Sequence, residues 1–144
     1  MNVPTSRKHA GFTLVELSVV IVIIGILAAF AVPKFRQAVE RSKAGEAFNY
    51  LSAIRDAQER YHSRQSIYAT NLGALDINMP APKYFNVGTV NEVVLDTAWS
   101  LTLTRSGASG GYGVYTVSFT QDGYDATIGS NVINNEINPM GTML

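Results

Sequence analysis

Apolar and polar positions divide the chain into three stretches of different period. From Phe12 to Val32 almost every side chain is apolar or small, and the only ionisable group in those 21 residues is Glu16. At about 1.5 Å per residue a helix of that length spans roughly 31 Å, close to the thickness of a bilayer's hydrocarbon layer. The run therefore predicts a membrane-spanning helix with one acid in it. From Lys34 to about Tyr61 the apolar positions Phe35, Ala38, Val39, Ala44, Ala47, Phe48, Leu51, Ile54 and Tyr61 recur at steps of three and four, the period of a helix with one buried face. Its other face carries the charges, with Arg36–Glu40 and Asp56–Arg60 at the spacing of surface ion pairs. The two stretches read as one helix of about fifty residues. A coiled coil is the other use of such a stripe, but this one is too short and too rich in alanine.

Past residue 62 the helical period stops. Residues 63–85 hold Pro80 and Pro82 and predict a connecting loop with a turn of helix at Leu72–Leu75. Trp99, Leu101 and Leu103 then alternate with Ser100, Thr102 and Thr104, and Tyr115, Val117 and Phe119 with Thr116, Ser118 and Thr120. Both are half-buried strands. A further strand is expected at 92–95 and a loose hairpin loop at Ser106–Gly111. Gln121-Asp122-Gly123 carries the signal for a tighter hairpin into Tyr124, Ala126 and Ile128. The Asn-rich tail reads as polar and irregular. The fold expected is α+β, with a long N-terminal α-helix, apolar in its first half and amphipathic in its second, packed on a small antiparallel β-sheet head. The boundaries read as 1–11 for a leader, 12–33 for the membrane helix, 34–62 for the stem and 63–144 for the head with its connecting loop.

Charge changes this picture in its distribution rather than its sum. Net charge is zero over 144 residues, which gives no reason to expect a nucleic-acid partner. Residues 34–61 carry six basic and four acidic side chains, whereas residues 62–144 carry three basic and six acidic ones. A basic stem leads to an acidic head. Cysteine is absent, so disulfides, thiolate nucleophiles and zinc–thiolate sites are excluded. The two histidines are His9, in the leader, and His62. They offer no histidine pair for a metal and no support for a nucleophilic triad, so an enzyme is not expected. Asp122 and Asp125 are the one candidate pair of cation ligands, because calcium favours carboxylates clustered on a turn. The cluster is small, and Asp-Gly is a turn signal first, so no cofactor is expected beyond that calcium candidate.

Arg7 and Lys8 precede the apolar run as a targeting n-region. An ordinary signal peptide would be cut after Ala29-Phe30-Ala31 and release a soluble domain, but the run is longer than such h-regions and the helical pattern continues through it. Gly11-Phe12-Thr13-Leu14, then Glu16-Leu17, preceded by Arg7-Lys8 and followed by a long apolar run ending at Pro33, resembles the class III signal of type IV pilins and type II secretion pseudopilins. The resemblance is strong over about residues 7–61. Ser66-Ile67-Tyr68 with Leu72 and Leu75 is also similar to the segment after the helix in pilin-like proteins, although Ala69 stands where a proline is often found.

That resemblance implies a pilin-like fold and a prepilin cut between Gly11 and Phe12 by a prepilin peptidase, followed by N-methylation of Phe12. It implies a single-pass precursor in the inner membrane with its N-terminus in the cytoplasm. Inner-membrane and pilus-assembly machinery would then build it into a periplasmic or extracellular filament of this chain, alone or mixed with related subunits. Glu16 would neutralise the new amine of Phe12 in the same or a neighbouring subunit. Gly25 and Pro33 would let the helix kink or break near Ala29–Pro33 during assembly, Pro33 because it lacks a backbone donor. The alternatives are a secretion pseudopilin and a membrane-anchored monomeric binding module.

Overall fold

The computed structural model describes residues 11–94 and 96–141. The leader, with Arg7, Lys8 and His9, lies outside them, as does Leu95. The chain divides into two compact units, residues 1–35 and 36–144. One helix, α1, spans Leu14–Gln65 and contains Pro33. The helix assignment is continuous through Ala29–Pro33. Proline removes one donor from the ladder, and the alanines and long aliphatic side chains around it sustain the remaining turns. At the other end Ser66 adopts φ 60°, and its N–H returns to the His62 carbonyl at 2.8 Å, closing the helix with a left-handed cap.

In the second unit the helix buries the stripe its period promises. Ala44, Ala47, Phe48, Leu51, Ile54 and Ala57 lie in one core with Trp99, Leu101, Leu103, Val117 and Phe119. A 3-10 turn at Leu72–Ala74 occupies the place expected for a turn of helix. Among the described residues five strands follow: β1 (Phe85–Val87), β2 (Asn91–Val94), β3 (Ala98–Arg105), β4 (Thr116–Thr120) and β5 (Gly123–Tyr124). Every pairing is antiparallel, in the order β1-β3-β4-β5 with β2 also on β3. The strand expected at 92–95 is β2. The hairpin expected to run to Ile128 keeps only two residues in β5: the Asp125 N–H still continues the ladder to the Ser118 carbonyl, and the Asp125 carboxylate then accepts from Thr127 in a local turn that leads the chain away.

β1 begins at the last residue of the stretch read as loop, and it shows the limit of periodicity: a three-residue strand is too short to display one. β1 and β2 form one interrupted neighbour of β3. Val87 faces Leu103 and Asn91 faces Ser100, so Gly88–Val90 stand opposite Leu101 and Thr102, one residue in excess, as in a bulge. A Cβ at Gly88 would lie 2.7 Å from the Thr102 carbonyl oxygen. Glycine is what allows the two backbones to meet there.

The opposite face of β3 and β4 is a ladder of hydroxyls, Ser100 facing Thr120, Thr102 facing Ser118 and Thr104 facing Thr116. Thr102 and Ser118 bond at 2.8 Å, and Ser118 donates to the Ile128 carbonyl at 3.0 Å. The tail is irregular as expected, yet it is not merely a polar appendage. Ile133 and Ile137 enter the core, and a parallel bridge joins Val132 to Thr116.

Candidate functional site

The segment that carries the sequence motif is an apolar helix whose described side chains are largely exposed. Sixteen large apolar side chains between Phe12 and Val39 are at least 36% exposed, Phe12 at 82%. An 18-residue window within α1 has mean hydropathy 2.8 and buries nothing. Each such side chain gains about 1.5–3 kcal/mol when fully removed from water, so this surface requires lipid or other protein around it.

Its start is capped by the motif itself. The Thr13 N–H and Oγ1 donate to Glu16 Oε2 at 2.8 and 2.7 Å, and the Glu16 N–H donates to Thr13 Oγ1 at 3.2 Å. This is a capping box, which satisfies helix-terminal donors reciprocally. Glu16 is thereby held toward the N-terminal end of the helix, next to Phe12, whose nitrogen is a peptide amide in the uncut chain. Gly11 and Phe12 are exposed and precede the helix. Gly25 has nothing within 4 Å of a built Cβ, so no contact within the chain requires a glycine there.

Each candidate cation ligand is engaged by its own immediate neighbours. Asp122 Oδ2 accepts from Gln121 Nε2 at 2.9 Å, and Asp125 Oδ1 accepts from the Thr127 N–H and Oγ1 at 2.7 and 2.6 Å. The Thr127 hydrogen bonds hold the Asp125 carboxyl below its usual range. Among the described residues, no group of three or more His, Asp or Glu side chains converges as a metal site would require.

The sequence places Glu40 on the charged face, paired with Arg36. Instead it is 1% exposed. Arg105 reaches Glu40 through Nε at 2.5 Å and Nη2 at 3.2 Å, Tyr115 donates its hydroxyl at 3.0 Å, and Lys43 stands 3.5 Å away. Burial pushes the Glu40 carboxyl up, but hydrogen bonds from Arg105 and Tyr115 and the charges of Arg105 and Lys43 outweigh it, leaving the pKa below its usual value. Burial, then the Glu40 hydrogen bond, pushes the Tyr115 hydroxyl well up. Arg105 also donates to the carbonyls of Tyr84, Ser106 and Ala108, so one guanidinium ties the stem to the loop after β3. Asp56–Arg60 is likewise replaced: Arg60 and Arg64 bond Asp76 at 2.9 and 3.3 Å.

Residues 6–32 match the family model described as the prokaryotic N-terminal methylation motif. The chain is 34% identical over 106 residues to the fimbrial protein EcpC of Eikenella corrodens, covering 73% of this chain and 69% of that one. It is 45% identical over 62 residues to the type IV major pilin protein PilA of Myxococcus xanthus, covering 43% of this chain and 28% of that protein. It is 37% identical over 76 residues to the type II secretion system core protein G of Vibrio cholerae, covering 53% and 52%. No solved structure matches. With a capped apolar helix running into a stem packed on an antiparallel sheet, this chain belongs to the type IV pilin and pseudopilin family.

Proposed function

We propose that the chain is a prepilin, cut between Gly11 and Phe12 by a prepilin peptidase, methylated on Phe12, held in the inner membrane and then polymerised into a type IV pilus-like filament with Phe12–Val32 in its core. The observation that carries this reading is the exposed apolar surface of Phe12–Val39 in a chain whose core is formed by other residues. The same surface suits lipid before assembly and neighbouring helices after it. Glu16 supplies the charge that allows the new amine to be buried, since an unpaired ion in such a medium is costly. Gly25 and Pro33 serve the packing of neighbouring helices rather than the packing of this chain.

Mass spectrometry of the mature protein tests the processing step. An N-terminus at Phe12, 14 Da heavier by one methyl group (about that value, as a covalent modification), is expected, whereas an N-terminus at Val32 overturns it. Glu16→Ala is expected to leave membrane insertion intact and to cut sheared filament yield by about tenfold or more, the scale of one uncompensated charge. A secretion pseudopilin is the second reading, favoured by the identity to core protein G. Filaments recovered from the cell surface by shearing support the pilus, and assembly confined to the periplasm supports the pseudopilin.

A further inference from the structure

A groove of about 400 Å³ opens between one face of the stem and the loop that leads to β1. The helix wall is made of Ser42, Gly45 and Asn49, and nothing lies within 4 Å of a Cβ built at Gly45. Facing it are Met79, Pro80 and Ala81, all exposed. Glu46 lines the groove. Its Oε1 accepts from the Lys83 N–H at 2.8 Å, while its Oε2 is shielded from water and, among the described residues, has no hydrogen-bond partner. The nearest cation in sequence, Lys43, is turned instead to Glu40 at 3.5 Å and to the Tyr84 ring at 5.0 Å. A carboxylate oxygen withdrawn from water without a donor is costly, and the cost disappears when a charged donor arrives.

The stem offers such a donor. Arg36 is exposed and, among the described residues, takes part in no ion pair. Apolar walls around a carboxylate suit a guanidinium on a long aliphatic chain, which can cover the walls and bond the acid in two places. We propose that the groove receives Arg36 of a second copy of this chain, its methylenes on Met79 and Pro80 and its guanidinium on Glu46, whose side chain turns its shielded Oε2 into the groove to meet it. Ten residues of helix separate Arg36 from Glu46, so two parallel stems offset by about 15 Å along their axes bring the two side by side. The contact is head-to-tail, the kind that propagates instead of closing. It rests on the filament reading.

Because the chain has no cysteine, Glu46→Cys and Arg36→Cys can be combined in the full-length protein without background. A bismaleimide shorter than the about 15 Å between these positions on one helix can join them only between copies. A ladder of covalent oligomers from sheared filaments of the double variant, with monomer only from each single variant, is the expected result. Filaments that form normally and yield monomer only overturn the groove contact while leaving the filament reading standing. If the unsubstituted chain matures at Phe12 but polymerises in no fraction, both fall. In parallel, Glu46→Arg and Arg36→Glu should each lower filament yield about tenfold and together restore it. Glu46→Gln, close in shape, separates the lost charge from any loss of folding, which circular dichroism reads directly. Equal yields from all these variants would also overturn the proposal.

Discussion

At the residue scale, charged and polar side chains at core positions decide how the head is tied to its helix. Glu40, Ala44, Ala47, Leu51, Ile54 and Gln58 occupy one face at steps of four and three. The position of Glu40 in that register is the sequence signal that it faces the core. Arg105 likewise continues the inward alternation of Trp99, Leu101 and Leu103. Reading the two as charges hides this, because charge is the stronger cue for a solvent face. Since the Glu40 pKa is lowered on folding, the unfolded chain binds more protons in acid. The stabilisation is present above the ordinary carboxylate value of about 4.3 and is lost as pH falls through the folded pKa. Urea midpoints measured from pH 7 down to acid should fall for the native head and fall less for Glu40→Gln. At pH 7, Glu40→Ala should cost about 3–5 kcal/mol, as expected when one partner of a buried pair is removed. Gln58 works without charge: its Nε2 donates to the Ala69 carbonyl at 2.9 Å and its Oε1 accepts the Ala69 N–H at 2.8 Å. A proline at this position could not supply that N–H. Ala69→Pro would leave a buried acceptor unpaired and should lower stability by about 1–3 kcal/mol in denaturant titration.

At the scale of elements, what could be read in advance depended on length. The long helix and the eight-residue β3 display enough of their period to be recognised, and so does β4, whose inward residues Val117 and Phe119 are buried at 0% and 4%. β1, at three residues, and β5, at two, do not. Their pairing comes from backbone geometry at Gly88 and from a turn at Gly123, where φ is 114°. The tail is polar in composition, and its contribution rests on Ile133 and Ile137, two apolar residues without a regular spacing. At the calcium candidate, Asp125 is taken up by its own turn, as a carboxylate two residues before a threonine readily is. Removing calcium with EDTA should therefore leave the head's melting temperature within about 1 °C of its value with calcium, a shift smaller than a bound ion would produce. A larger drop would show that Asp122 and Asp125 rearrange to bind it.

At the scale of the whole molecule, the residues of the core all lie at Ala44 or beyond, within the unit that begins at Arg36. A chain starting at Arg36 should fold, remain soluble and melt within a few degrees of the intact protein in detergent. Loss of cooperative melting in circular dichroism would show that the first 35 residues support the core. The processing motif and the apolar run were legible because both are local: one is a short string and the other a composition. Which side chains tie the head together was much less so, because the network around Glu40 joins residues 65 and 75 positions apart, and no local pattern encodes that distance.

The interrupted neighbour of β3 has a consequence for crowding. Heads held side by side on a polymer experience a very high local concentration, the condition under which an open sheet edge recruits strands from its neighbours. With β1 and β2 separated by the excess residue at Gly88–Val90, that edge offers no long flat run of unpaired donors and acceptors, and irregular edges of this kind resist edge-to-edge association. The sheet is thus poorly suited to templating growth, and the task of ordering copies falls to the helices.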